Sequence, residues 1–199
     1  MLRPLPDDLL AIPHRRDVPF PKLTTLGVGG RCRWLFEPTT EDEARRFVRA
    51  CARESLPYRV LGGGSNLVIF GDVETPVLRL AFPKELKQDG PRLAAPASYG
   101  HIRMSQASGR LGLSGMEYAA GIPGTTGGAL RMNAGAYGTE LVDILESYRF
   151  LTPAGELIEK RPEPGEFRYR NSFLTGGHVA LAFTVRLAAG DPEIGRAHV

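Results

Sequence analysis

The sequence predicts an α+β fold, on three observations. Short apolar runs of strand length recur from Trp34 to Leu187, while only two long stretches carry apolar residues at helical spacing. These strands and helices do not alternate regularly, which argues against a βαβ array. Gly (24) and Pro (16) make up about a fifth of the 199 residues, so the chain is rich in turns. At this length roughly 70% of the unfolded chain's surface can be buried, enough for a real core.

Residues 1–20 read as an irregular, proline-containing lead-in, with no apolar run of signal-peptide type. Trp34-Leu35-Phe36 reads as a strand. Thr40 and Glu43 have the spacing of a capping box, and Ala44, Phe47, Val48 and Cys51 give the following helix one apolar face. Cys51 is thereby core filling, and Pro57 closes the helical region. Residues 58–61 and 67–70 read as strands on either side of Gly62-Gly63-Gly64-Ser65-Asn66. Residues 77–82 and 92–97 are further strands. Residues 99–110 read as a helix with Ile102, Ala107 and Leu111 toward the core. A hairpin follows at 148–152 and 156–160, turning at Pro153-Ala154-Gly155. Residues 178–187 form the last strand.

Composition excludes little by itself. There are 25 Lys and Arg against 22 Asp and Glu, a net charge of +3. That is too mild to argue for nucleic acid and would suit an anionic small molecule. No stretch approaches a membrane span. Two cysteines, Cys32 and Cys51, read as buried free thiols of a reducing cytoplasm rather than a disulfide framework. His14, His101, His178 and His198 show no metal-ligand spacing, so no metal site is expected. Residues 191–199 lack periodicity, and 193–199 can be encoded by a common sequencing-adapter read. This predicts a non-native tail, the genuine sequence ceasing at about Asp191 to Glu193.

Two glycine-rich loops carry the functional signal. Gly62-Gly63-Gly64-Ser65-Asn66 has two readings: a tight structural turn, or a nest of backbone N–H groups for an anion. It is neither a phosphate loop of the G-x-x-x-x-G-K-S/T kind nor a G-x-G-x-x-G fingerprint. In Gly121-Ile122-Pro123-Gly124-Thr125-Thr126-Gly127-Gly128-Ala129, Thr125 or Thr126 could cap a short helix through Ala129, Leu130 and Met132. Free N–H groups at its start would suit a pyrophosphate. Asn133-Ala134-Gly135-Ala136-Tyr137-Gly138 follows, small and polar, as if packed against a flat ligand. Tyr137 fits either packing against such a ligand or loop packing. Two such loops in one small chain favour a bulky diphosphate cofactor.

With Tyr169-Arg170-Asn171-Ser172-Phe173 and Thr24-Thr25-Leu26-Gly27-Val28-Gly29-Gly30, these blocks make the chain resemble the UDP-N-acetylenolpyruvoylglucosamine reductase family. The match runs over about residues 20–188. The resemblance implies an FAD-binding module of the vanillyl-alcohol-oxidase-like (PCMH) type. That module has two α+β subdomains, here expected at 21–75 and 76–190, with the family's substrate-binding third domain missing. It implies an oxidoreductase of peptidoglycan synthesis, cytoplasmic, taking a UDP-sugar and NADPH. Gly62, Gly63, Gly64, Ser65, Asn66 and Leu67 would hold the FAD pyrophosphate. Gly121, Ile122, Pro123, Gly124, Thr125, Gly127, Gly128, Asn133, Ala134 and Gly135 would line the flavin and its phosphates. FAD is expected to be non-covalent, since no His or Cys lies within 62–66.

In the family, NADPH reduces FAD, and a hydride then reaches the enolpyruvyl C3 of the sugar. Arg170 matches the catalytic arginine, a planar, permanent cation for the substrate carboxylate, and Tyr169 stands beside it in the substrate site. The family's proton-donor serine and assisting glutamate belong to later segments, so neither Ser172 nor Glu193 takes those roles. The alternatives are a non-catalytic FAD-binding chain and another oxidoreductase of this fold.

Overall fold

A short helix, α1 (Asp7–Leu10), and a strand, β1 (His14–Pro19), occupy the stretch expected to be irregular. The reason is apolar: Leu9 and Ile12 are fully buried against Phe36, Phe47 and Val48, and β1 then pairs antiparallel with β2 (Arg31–Phe36). The computed structural model describes residues 5–190. The tail at 191–199, with its expected non-native origin, lies outside them.

Helix α2 (Glu41–Arg53) starts as the capping pattern requires, with one difference. The Thr40 hydroxyl accepts the Glu43 N–H at 3.2 Å, but the Glu43 carboxylate turns back chiefly to the N–H of Thr39 (2.7 Å), that of Thr40 being the weaker partner. The helix ends before Pro57 in a Schellman motif. Ser55 adopts the left-handed conformation (φ 50°), and the N–H groups of Leu56 and Ser55 donate to the carbonyls of Cys51 and Ala52. Cys51 is buried among the helix's apolar face, as its spacing predicted.

Strands β3 (Arg59–Val60) and β4 (Val77–Leu78) are shorter than the apolar runs around them. They complete a sheet of order β1-β2-β4-β3, in which β2, β4 and β3 run parallel. The expected strand at 67–70 does not form. Its residues make no ladder, and Val68 and Phe70 are 53% and 95% exposed. The segment lies side-on against the loop at Gly29 and Gly30 instead. Gly30 donates to the Gly71 carbonyl, and a Cβ on Gly29 would stand 2.7 Å from the Cβ of Ile69.

The remaining chain builds a second, antiparallel sheet. It contains β5 (Lys87–Asp89) and β6 (Arg92–Pro96), followed by α3 (His101–Arg110), β7 (Leu113–Ser114) and α4 (Thr126–Met132). Next come β8 (Gly135–Ala136), β9 (Thr139–Glu140), α5 (Leu141–Ile144), β10 (Leu145–Leu151) and β11 (Leu157–Lys160). A small hairpin of β12 (Phe167–Arg168) and β13 (Asn171–Ser172) precedes β14 (Val179–Arg186) and β15 (Ala188–Ala189). The main sheet has the order β11-β10-β14-β6-β5. Val179, Leu181, Phe183 and Val185 alternate inward along β14, the period-2 pattern of a strand with one buried face.

One core cluster joins Leu93, Met104, Leu130, Tyr148 and Phe183 beneath α3 and α4. Another joins Phe36, Phe47 and Leu78 to Leu151, Val179 and Leu181, so the two sheets share buried side chains. Helix α3 buries Ala107 as expected and half-buries Ile102, but its buried face extends elsewhere. Leu111 is largely exposed, while His101, Met104, Ser105, Ala107 and Ser108 are buried. Its serines are short enough to bring residues 116–119 close, and the Ser105 hydroxyl donates to the Met116 carbonyl at 2.7 Å.

Candidate cofactor cleft

Strand β3 runs directly into Gly62 and Gly63, and these glycines form one wall of a cleft of about 630 Å³. Thr125, Gly127, Gly128 and Arg131 of the α4 region form the facing wall, with further lining from residues 79–82, 97–103 and 174–178. The volume falls within the usual range for small-molecule sites.

The two glycine loops are in direct contact. A Cβ on Gly62 would lie 2.8 Å from the Thr125 hydroxyl oxygen, and one on Gly63 would lie 2.8 Å from the Cα of Gly124. Ser65 donates from its hydroxyl to the Pro123 carbonyl at 3.0 Å. Gly64, at φ +68°, turns the loop back against Leu23, and its carbonyl accepts the Thr25 N–H at 3.1 Å. The N-terminal block and both glycine blocks therefore pack as one unit.

The N–H groups of Gly62 and Gly63 have no acceptor among the described residues, which leaves the first loop able to work as a nest. The second loop works differently from its expected reading. Thr125 is the N-cap and accepts the Gly128 N–H at 3.3 Å. The N–H of Thr126 donates to the Tyr99 carbonyl and that of Gly127 to the Ala97 carbonyl, at 2.8 and 2.9 Å. The start of α4 is thus zipped onto the end of β6, and the N–H groups of Thr126, Gly127 and Gly128 are all taken within the protein. Thr125, Gly127 and Gly128 present a small-residue wall to the cleft.

Charge favours an anion. Arg59, Arg79, Lys84, Arg103 and Arg131 line the cleft against the single carboxylate of Glu37. Glu37 is itself engaged by Arg15 at 2.7 Å and Arg79 at 3.8 Å. These cations have no diagnostic spacing, so the sequence did not point to them. It did hold a signal for one other element, Gly176-Gly177, both at positive φ and both in the cleft wall. The Tyr58 hydroxyl donates to the Gly177 carbonyl, tying that loop to β3.

The other candidate residues lie apart from this wall. Gly64, Ser65, Asn66 and Leu67 continue the first loop, and Gly121, Ile122, Pro123 and Gly124 approach α4; none lines the cleft. Asn133 is buried at the C-cap of α4, followed by buried Ala134 and half-buried Gly135. Tyr137 is 97% exposed. Tyr169 and Arg170 form the two-residue turn between β12 and β13, both exposed. Arg170 holds φ +55° and makes no hydrogen bond or ion pair with another described residue. The turn is nevertheless tied to the cleft: Arg131 donates to the Asn171 side-chain oxygen at 2.9 Å.

Residues 33–160 match the family model described as "FAD binding domain". The chain belongs to the FAD-binding domain family. This bears out the fold class and the FAD cofactor that the resemblance implied. The reductase of Lactobacillus helveticus named UDP-N-acetylenolpyruvoylglucosamine reductase is 35% identical over 179 residues, covering 89% of this chain and 60% of its own. The FAD-binding domain also superposes on the crystal structure of UDP-N-acetylenolpyruvylglucosamine reductase from Thermus caldophilus. There the TM-score is 0.79 at 34% identity, over 94% of this chain and 66% of that one. Physcomitrella patens BBE-like 1, at 14% identity and TM-score 0.66 over 94% of this chain and 44% of that one, shares the fold alone. The chain spans about three fifths of the length of the curated relatives it matches. No helix among the described residues is long and apolar enough to cross a membrane.

Proposed function

We propose that this chain is the FAD-holding part of an NADPH-dependent reductase. The enzyme would convert the enolpyruvyl group of UDP-N-acetylglucosamine-enolpyruvate to the lactyl ether of UDP-N-acetylmuramate, in the cytoplasm. One observation carries the reading: five sequence blocks scattered from Thr24 to Phe173 are linked by contacts into one assembly, and two of them line the cation-rich cleft.

The residues fit FAD. Gly62 and Gly63 present unpaired backbone N–H groups where any side chain would collide with the opposite loop. A diphosphate would accept those N–H groups, and Arg59, Arg79, Arg103 and Arg131 would balance its charge. Bound there, FAD supplies two-electron chemistry between NADPH and the sugar. Arg170 would hold the substrate carboxylate with its planar guanidinium. Negative charge grows on that carboxylate as C3 gains hydride, so a fixed cation lowers the barrier more than it tightens ground-state binding. Ser172 is not available as the proton donor, because its hydroxyl donates to the Arg131 carbonyl at 2.8 Å. The two free, buried cysteines suit a reducing compartment.

The test has two stages. FAD titration followed by flavin fluorescence should show saturable 1:1 binding; no binding removes the proposal. Arg170→Lys should keep that affinity and slow reoxidation of the reduced flavin by the enolpyruvyl UDP-sugar at least tenfold. Unchanged reoxidation would leave an FAD-binding protein with a different substrate.

A further inference from the structure

Helix α4 borders the cleft from its N-cap Thr125 to Arg131 and carries the Arg170 hairpin at its C-terminal end. At its C-terminal end both hairpin strands are clasped. The Asn133 amide donates to the Arg168 carbonyl at 3.3 Å and to the Glu140 carboxylate at 2.7 Å, while its oxygen accepts the Val142 N–H at 3.1 Å. On the other strand, Arg131 donates to Asn171, and Ser172 donates to the Arg131 carbonyl. Asn133 is 1% exposed, and its side-chain oxygen and nitrogen are both committed inside the protein. It sits at φ 41°, a left-handed conformation that Asn tolerates better than most residues. The side chains of Tyr169 and Arg170 are themselves exposed, and beyond these bonds the hairpin is held by Phe167 and Phe173, whose rings pack on Tyr148.

We infer that Asn133 is a positioning residue for Arg170, fixing the turn to the cleft through the Arg168 carbonyl, with the Arg131–Asn171 bond as the second tie. The inference rests on the proposed role of Arg170. It gives Asn133 work other than lining the flavin. A short helix clasped at its end sets a fixed separation between cofactor and carboxylate sites. Misplacing a catalytic group by about 1 Å can cost on the order of a hundredfold in rate.

The experiment compares Asn133→Gly, which keeps the left-handed backbone, with Asn171→Leu and Asn171→Asp in the FAD-loaded protein. Three quantities are read: FAD affinity, the rate of native-state trypsin cleavage after Arg168 and Arg170, and flavin reoxidation by the enolpyruvyl UDP-sugar. Asn133→Gly and Asn171→Leu should hold FAD affinity within about twofold, speed cleavage about tenfold or more, and lower the maximal reoxidation rate about tenfold or more. Asn171→Asp, which keeps the acceptor for Arg131, should behave as the parent does. If Asn133→Gly fails to fold, the Asn171 pair decides. Loss of FAD affinity in Asn133→Gly overturns the inference by placing the residue in the cleft. Unchanged reoxidation in a protein where Arg170→Lys is slow overturns positioning alone. If Arg170→Lys is itself without effect, the role of Arg170 and the positioning inference fall together.

Discussion

Gly63 stands against Gly124 so closely that a Cβ on Gly63 would lie 2.8 Å from the other residue's Cα. The contact is backbone to backbone, so neither side can yield by a rotamer change. Gly63→Ala should therefore push the two loops apart, costing about 1–3 kcal/mol of stability as overpacking does, and weaken FAD binding with it. Gly71→Ala is the control, because a Cβ there meets nothing within 4 Å and its φ is not positive. Urea melts and FAD titrations of both variants give the comparison. Equal behaviour would mean that the contact between the loops does not shape the site.

Thr125 and Thr126 are neighbours with separable jobs. The Thr126 hydroxyl, fully buried, donates to the Pro96 carbonyl at 2.6 Å. That carbonyl also accepts the Tyr99 N–H, so Thr126→Val removes one bond without orphaning the acceptor. The expected loss is about 1 kcal/mol, or a fall in Tm of about 2–4 °C for a chain of this size, with FAD affinity kept. Thr125→Ala removes the N-cap, at a similar cost of about 1 kcal/mol, and also a hydroxyl of the cleft wall. Only the second variant should weaken FAD binding. Calorimetry alongside fluorescence titration would separate the two.

How far the sequence could be read depends on the range of the forces involved. The hairpin turning at Gly155 (φ +76°) and the alternation along β14 were legible because turn chemistry and period-2 burial are local. The run at 67–70 was misread because apolar content does not reveal whether a sheet edge is free to receive it. The start of α4 looked like a free set of donors; Ala97 and Tyr99 take those donors, and no local pattern records that contact. Arg79, Arg103 and Arg131 reach the cleft from separate elements, so no spacing announced them. The Arg170 block could be recognised, but its tie to Asn133 could not, since it needs the fold to bring residues 133 and 168 together.

His101 gives the protein an acid-sensitive window. Burial pushes its imidazole down to about 4 from an ordinary 6.5, and neither ring nitrogen has a hydrogen-bond partner among the described residues. The ring faces Tyr118, whose buried hydroxyl is also unpartnered. The unfolded chain takes up this proton near pH 6.5 and the native chain only near pH 4. The contribution is thus fully present above 6.5 and is lost as the pH falls toward 4. The slope can approach about 1.4 kcal/mol per pH unit. The carboxylates of Glu43, Glu146 and Glu166, all held below their ordinary value of 4.5, add their own losses at lower pH. Between pH 6.5 and 5 the histidine should dominate. His101→Phe, which keeps a ring beside Tyr118, should flatten urea-derived stability across that interval. A variant with the parent's slope would assign the acid sensitivity elsewhere.

Arg170 is held in a left-handed backbone conformation at φ +55°, on a two-residue turn, with its side chain free of partners among the described residues. For a residue with a Cβ this conformation costs about 1–2 kcal/mol relative to a relaxed one. The pairing of β12 with β13 and the bonds to Asn133 and Arg131 hold the turn in this backbone, while the exposed side chain of Arg170 contributes nothing to them. Strain of this kind persists where a function requires the side chain at that place. Arg170→Gly should therefore raise Tm by roughly 2–4 °C, about 1 kcal/mol for a chain of this size, while abolishing reoxidation of reduced flavin by the enolpyruvyl UDP-sugar and leaving FAD affinity unchanged. Arg170→Ala keeps the strain and should lose the reaction without any gain in Tm. Thermal melts of the three proteins read the strain, and anaerobic stopped-flow reads the reaction. A glycine variant no more stable than the alanine variant would show that the turn is not strained. A reactive glycine variant would remove Arg170 from the chemistry.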